Sequence, residues 1–378
     1  MSERGTSALS NTGTAHPAPS RSPIDPLAAV RRDGDPPTDV FLTGTVFLDI
    51  VFTGLDHAPV RGTETWARGM GSSPGGAANM ATALRRLGLR TSLAAAFGDD
   101  VYGDYCWESL ADCEGIDLGP SHRAPGWHSP VTVSMAYEGE RTMVSHGHVA
   151  PTPCVSVAER PRSLACVASL DPGRRLDDWV RRAHGEGSRV FADVGWDGSG
   201  AWDPDTLADL THCHAFLPNA AEAQHYTRTD SPEAAVRALA ELVPVAVVTK
   251  GAAGAVAVDS VTGESAEVPA LRVESLDPTG AGDVFMAGFI TGTLAGWPLT
   301  DRLAFANLTA ALSVQHFGGS LSAPGWAEVA AWWQYATKCG GQPEEVMRRY
   351  RFLGDLLPAG TSDWPLRRAT PTIGFRPS

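Results

Sequence analysis

The 378-residue sequence has no apolar run long enough to cross a membrane. It has no surplus of positive charge either: 30 lysines and arginines stand against 43 aspartates and glutamates, a net charge of −13. That balance argues against a nucleic-acid surface, which needs a basic stripe. No apolar segment of a secretion signal opens the chain. The six cysteines, Cys106, Cys113, Cys154, Cys166, Cys213 and Cys339, lack the paired spacing of a metal site. They read as reduced thiols of a cytoplasmic protein. His212-Cys213-His214 is the one suggestive group, but in an expected strand its members alternate faces, which disfavours a shared metal. What remains is a soluble globular composition, 43% hydrophobic and 19% charged, in a chain long enough for one large domain or two small ones.

The most informative stretch is Leu276 to Ile290, LDPTGAGDVFMAGFI. Pro278 bars a regular helix before it. Gly280 and Gly282 let the backbone approach a ligand closely. The run from Val284 has helical spacing. A helix starting there aims its unpaired N–H groups and its dipole back into the turn, as anion sites do. Asp283 then stands at the mouth of an anion cradle, where a carboxylate can take a proton from an attacking hydroxyl. The same residues also suit a glycine turn before an ordinary core helix, with Asp283 as its cap.

As a whole, DPTGAGDVFMAGF (Asp277 to Phe289) resembles the C-terminal signature of the ribokinase-like (PfkB-type) kinases, which phosphorylate sugars and nucleosides. The resemblance implies an anion hole at Gly280, Ala281 and Gly282, with Asp283 as catalytic base. It also implies a monovalent-cation site at Asp277 and Thr279, which some members use and which would take K⁺. Gly75-Gly76-Ala77-Ala78-Asn79 leads a helix expected over Ala77 to Leu87 and stopped by Gly88. It resembles the family's N-terminal signature, in which Gly75, Gly76 and Asn79 would contact acceptor hydroxyls. Standing alone, the same stretch reads as a glycine-led core helix. Asp49 interrupts an apolar strand, Val46 to Phe52. It is either a paired core aspartate or, by the family's Gly-x-x-x-x-Asp pattern from Gly44, the group that holds the sugar.

Phe97-Gly98-Asp99-Asp100-Val101-Tyr102-Gly103 matches a further family segment, taken as structural. Val131 to Tyr137 and Arg141 to Ser145 alternate around Glu138-Gly139-Glu140, a hairpin pattern. The family carries a β lid over the sugar, which here would come from residues 50–72 and 127–146. Phe52, Trp66 and Met135 are candidates for its apolar underside or for plain core packing. From Cys154 to Leu242, strands such as Leu164 to Leu170 and Arg189 to Val194 alternate with helical stretches such as Arg175 to His184, the pattern of a parallel sheet covered by helices. Asp193 ends one strand, but the family's Asp-x-Asn-x-Arg is replaced by Asp193-Val194-Gly195-Trp196-Asp197. Asn219 and Glu222 match an Asn-x-x-Glu motif tied to ATP and to Mg²⁺ through water, and they equally form a capped helix start. Thr249, Gly251 and Gly254 match a nucleotide segment in which Lys250 is either phosphate-facing or solvated, and Asn307 matches an asparagine at the adenine pocket.

These matches imply an α/β fold: a doubly wound, mainly parallel sheet flanked by helices, with a small β lid, over residues 39–325. A disordered tail, 1–38, is expected before it, and a C-terminal extension, 326–378, after it, as an interface or a packed addition. The implied reaction is ATP-dependent, Mg²⁺-assisted phosphorylation of a sugar-like hydroxyl. A nucleoside acceptor is the alternative, with Phe52, Trp66 and Trp127 available to clamp a base. A sugar sensor without catalysis is a further alternative, which the retained Asp283 disfavours. No nucleic-acid or membrane partner is expected, and a homodimer is left open.

Overall fold

The structure, a computed structural model, describes residues 22–137, 140–150, 160–195, 197–339, 342–358 and 361. In chain order the first half comprises β1 (Thr38–Thr43), β2 (Val46–Thr53), β3 (Gly69–Gly76), α1 (Ala77–Arg86), β4 (Thr91–Ala94), β5 (Ala96–Gly98), α2 (Val101–Glu108), β6 (His122–Ala124), β7 (Val131–Tyr137), β8 (Glu140–His146), β9 (Ser163–Leu170) and α3 (Asp178–Gly185). The second half comprises β10 (Arg189–Val194), β11 (Ala215–Phe216), α4 (Ala220–Thr227), α5 (Pro232–Leu239), β12 (Val245–Thr249), β13 (Ala255–Asp259), β14 (Glu264–Val268), α6 (Ala281–Leu294), α7 (Leu299–Ser313), α8 (Gly319–Ser322), α9 (Trp326–Cys339), α10 (Glu344–Arg349) and α11 (Phe352–Leu356).

Among the described residues, one large sheet has the order β14-β13-β12-β11-β10-β9-β1-β4. It is parallel from β4 to β12 and ends in two antiparallel strands. Its inner strands are largely apolar on both faces, as a sheet covered on both sides requires, while the edge strand β14 is polar and mostly exposed. Alternation still sorts them: Val40, Leu42, Val245 and Val247 join one core, and Phe41, Ala246 and Val248 the other. The first core also takes Leu84 of α1, Phe289 of α6 and Phe305 of α7, and the second takes Trp179 of α3, Ala223 of α4 and Leu239 of α5. The carboxyl ends of the parallel strands are therefore left as the open edge where ligands sit in such sheets.

A second sheet, β3-β2-β7-β8, forms the small lid. It begins earlier than residue 50: all of β2, from Val46, belongs to it, so Asp49 lies in the lid and not in a strand of the large sheet. Ser72 to Gly76, which carry no strand pattern, complete β3 because β2 offers a full antiparallel ladder from Val46↔Gly76 to Thr53↔Gly69. The hairpin of β7 and β8 forms as its alternation suggests, its Glu138-Gly139 tip lying outside the described residues. Phe52, Trp66 and Met135 do share one hollow with Leu55 and Met70. It is not the underside that carries Asp49, because Phe52 alternates with Asp49 along β2.

The apolar run from Thr91 to Gly98 divides at Ala95 between the large sheet and the short pair β5–β6. The helix expected from Arg175 starts at Asp178. His212 closes a 3-10 turn, Pro204–His212, and not a strand, and its ring packs edge-on against His184. The tail expected to run free to residue 38 is anchored over its last part: Leu27 is buried in the first core, and Arg31 bonds Asp39 at 2.8 Å. Residues 1–21 lie outside the described residues. The C-terminal extension packs onto the domain as far as residue 358, through buried Trp326, Tyr350 and Leu353. Its last part, with Trp364, is outside the described residues.

A buried ion pair ties these parts together. Arg86 of α1 holds Glu114 through two bonds, of 3.0 and 2.6 Å. It also donates to the carbonyls of Leu321 and Ala323, at 2.9 and 2.6 Å. Arg86→Met removes the guanidinium that holds Glu114 in the interior, a loss of about 3–5 kcal/mol in unfolding free energy. Adding Glu114→Leu should recover part of that loss. Urea denaturation of the two variants measures both.

Candidate active site

The site grows from two helix starts that face each other. α6 opens on Gly280 in the left-handed region, φ 75°, with no side chain capping its first amides. Its approach is fixed by Asp277, whose Oδ1 accepts from the Thr279 N–H at 3.0 Å and the Thr279 hydroxyl at 2.6 Å, while Oδ2 accepts from the Gly318 N–H at 3.2 Å. α1 opens on Gly76, φ 61°, again without a side-chain cap. A Cβ at Gly76 would strike the Thr45 carbonyl, and one at Gly75 would overlap the Asp49 carboxylate. The bond that joins the two starts runs from Asn79 Nδ2 to Asp283 Oδ2, 3.1 Å across 204 residues of sequence. Asn79 Oδ1 is buried with no partner. Asp49, Gly75, Gly76, Asn79, Gly280 and Asp283 are thus brought together, with Ala281 and Gly282 on the uncapped turn.

The second group lines the carboxyl ends of β10 to β12. Asn219 and Glu222 close a reciprocal capping box: Asn219 Oδ1 accepts from the Glu222 N–H and Glu222 Oε2 accepts from the Asn219 N–H, both at 3.0 Å. Asn219 pairs with Thr249 in an isolated parallel bridge. Gly251 and Gly254 both have positive φ, and the Gly254 carbonyl accepts from the Lys250 N–H at 2.7 Å. The Lys250 ammonium is not solvated but lies between Glu233 (3.1 Å) and Glu267 (2.5 Å). Asn307 is buried on α7, where its Nδ2 donates to the Val268 carbonyl at 3.0 Å.

Asp193, which no intact motif assigns, also belongs to this region. Burial pushes its carboxyl up to about 8, and the negative charge of Asp283, then of Glu222, adds to the shift against one bond from the Val194 N–H. Burial likewise pushes Asp283 up to about 6, opposed by the bond from Asn79, and it raises Glu222. Three carboxyls therefore share a poorly solvated region beside two uncapped helix starts. The available signal for Asp193 was an acid ending an otherwise apolar strand. Asp197, four residues on, is turned to its own loop, where it accepts from the Ser199 and Trp202 N–H groups, and Trp196 is outside the described residues.

The pattern of the pfkB family carbohydrate kinases matches residues 38–326. The chain belongs to this family. It is accordingly a phosphotransferase that uses ATP. A Bacillus subtilis ribokinase is 25% identical over 299 residues, covering 77% of this chain and 98% of its own length. A nucleoside kinase of Methanothermobacter thermautotrophicus is 26% identical over 330 residues, covering 79% and 97%. Arabidopsis thaliana ribokinase, solved with ribose and ATP, superposes with a TM-score of 0.63 at 22% identity over 78% of this chain and 98% of that one. The last likeness carries the fold: the large sheet with its helices and the separate lid are those of a ribokinase-like protein.

The raised carboxyls make stability depend on pH. Asp193 and Asp283 bind a proton more tightly folded than unfolded, so they stabilise the fold below their ordinary value of 3.8. That contribution is lost as pH rises through about 6 for Asp283 and about 8 for Asp193. Asp193→Asn should therefore melt at a higher temperature than the parent at about pH 9, with the difference shrinking as pH falls toward about 4. Scanning calorimetry across that range tests it, and a difference independent of pH would be the contrary result.

Proposed function

We propose that the protein phosphorylates a hydroxyl of a sugar or sugar-like molecule at the expense of ATP, with Asp283 as general base. The observation that carries this is the bond between Asn79 and Asp283, which joins the two family signatures at one point. Asp49, Gly75, Gly76 and Asn79 hold the acceptor, and the unpartnered Asn79 Oδ1 is free to accept from one of its hydroxyls. Asp283 accepts the proton as that hydroxyl attacks. The backbone amides at Gly280, Ala281 and Gly282 stabilise the charge on the transferring group. No side chain caps those amides, so they suit an anion.

On the nucleotide side, Asn219, Thr249, Gly251, Gly254 and Asn307 are assigned to ATP. Mg²⁺ bound with it supplies neutralisation of phosphate charge. Glu222, through water, is the residue to hold the ion, and its raised carboxyl is the kind of donor that a cation relieves. A cytoplasmic setting belongs to the same proposal, since Cys106, Cys166 and Cys213 are buried free thiols.

Asp283→Asn keeps the shape and most hydrogen bonding but cannot accept a proton. Its turnover should fall by ~10²–10⁴-fold, about 3–5 kcal/mol of barrier, with little change in ATP affinity. Steady-state kinetics checked against thermal unfolding measures this. A folded variant within a few-fold of the parent would make another group the base.

Asp277 and Thr279 are assigned to a monovalent cation. Asp277 is buried and fixes the approach to the amide cradle through Thr279 and Gly318, so a cation there acts on rate more than on affinity. Turnover should be several-fold higher in K⁺ than in a bulky organic cation. Equal rates in the two salts would remove the assignment.

A further inference from the structure

At the amino ends of its parallel strands, away from the kinase site, the large sheet carries basic side chains that the proposed reaction does not use. Arg189 opens β10, and Asp193 stands at its other end, about 13 Å along the strand. Arg189 and Phe191 point to the same face of β10, and the Phe191 ring meets the His214 ring edge-on at 5.6 Å. The His214 N–H donates to the Val190 carbonyl at 2.7 Å. The turn between α6 and α7 lies on that face too, since Phe191 shares the first core with Phe289 and Phe305. Arg189 Nη1 donates to the Thr293 carbonyl at 3.0 Å, and Arg302 Nε donates to the Trp297 carbonyl at 2.6 Å. Arg302 also packs on Gly292, where a Cβ would stand 3.2 Å from its Cγ. Two guanidiniums and an imidazole therefore converge on one turn.

Closing the end of α6 accounts for one N–H of each arginine. A guanidinium carries several more, and among the described residues neither Arg189 nor Arg302 has a carboxylate within ion-pair distance. In a chain with 43 acidic residues against 30 lysines and arginines, Arg31, Arg86, Arg90 and Arg175 all hold carboxylates, so this pair stands apart. The buried Asp259 is turned to its own loop, where Oδ1 accepts from the Val261 and Thr262 N–H groups at 3.0 Å. His214 Nε2 is buried with no partner among the described residues, which is unfavourable. Burial pushes its imidazole down to about 4, and Arg189 and Arg302 push the same way against Asp259. Burial also lowers Arg302, with Arg189 adding to the shift and Asp259 and Glu264 opposing it. The start of α7 has no side-chain cap, so its first amides add further positive potential.

We propose that Arg189, Arg302 and His214 form a second anion site, separate from the amide cradle at Gly280, and that it takes a phosphate group, either free or on a small molecule. Arg189 is exposed and Arg302 half-buried, so the site opens to solvent. The remaining N–H groups of the two guanidiniums suit paired contacts to phosphate oxygens. His214 Nε2 donates to a further oxygen, which requires a proton on that nitrogen. Negative charge set between the arginines relieves their repulsion and raises the proton affinity of His214, so binding draws in a proton. The site depends on no feature of the kinase proposal.

Histidine-selective nitrogen NMR of the full chain at about pH 6, where a histidine responds to small changes in its surroundings, tests this. The His214 signals are assigned with His214→Gln, and inorganic phosphate and glycerol phosphate are titrated separately against chloride at matched ionic strength. The His214 nitrogens should move saturably toward imidazolium values. A response to phosphate alone assigns the site to the free ion, and a response to glycerol phosphate assigns it to a phosphorylated small molecule. Arg189→Met and Arg302→Met should each weaken the response by at least about tenfold, the scale of one lost charge-assisted contact, with thermal unfolding checked in parallel. Phosphate held only at the Gly280 cradle leaves His214 unmoved, and that result overturns the inference. A shift that chloride reproduces, or one that survives both arginine substitutions, overturns it as well.

Discussion

The structure depends on two helices whose first turns are left uncapped at the same place. α2, α4 and α5 carry side-chain caps, from Asp100, the Asn219–Glu222 box and Ser231. At α1 and α6 the capping position is a glycine with positive φ, and no side chain reaches the amides. A helix start whose N–H groups lack partners is unfavourable in isolation. It persists here because Asn79 spans the gap to Asp283 and because Asp277 fixes the loop that leads into α6.

That constraint explains the long-range connections around it. Arg86, at the far end of α1, binds the carbonyls of the Leu321–Ala323 segment, and the Trp326 indole donates to the Leu87 carbonyl at 2.8 Å. The same C-terminal segment carries Gly318, which closes on Asp277. The extension after residue 325 is thus built into the support of the site, with Trp326 stacked on Phe305 of α7 at 5.2 Å. The lid is tied in as well: the Tyr105 hydroxyl donates to the Ser72 carbonyl at 2.9 Å, and the Ser320 hydroxyl donates to the Pro74 carbonyl of β3.

The carboxyls give the site its electrostatic character. Asp193, Glu222 and Asp283 are all shifted toward the protonated form by burial, and Asp193 further by the other two. Lys250, the nearby lysine, does not relieve them, because Glu233 and Glu267 hold it. Positive charge must then come from the helix starts and from bound cations, which fits an acidic protein that takes an anionic substrate.

The sequence by itself determined the local elements and the chemistry of single motifs. The glycine turn before α6, the glycine pair before α1 and the Asn219–Glu222 box are contiguous, and each follows from residue type and short-range sterics. β10 and β12 fall where the apolar runs place them. Pairing was decided only in three dimensions. β2 reads as a buried apolar strand, with the lid expected only from residue 50, but the whole of it joins the lid because its partners are β3 and β7, and β3 gains its ladder from β2 despite four glycines and a proline. The face of Phe52, the ion pairs of Lys250 and the charge felt by Asp193 likewise depend on groups distant in sequence. Hydrogen-bonding propensity and steric limits act between neighbours and can be read along the chain. Burial and electrostatics act between residues that only the fold brings together.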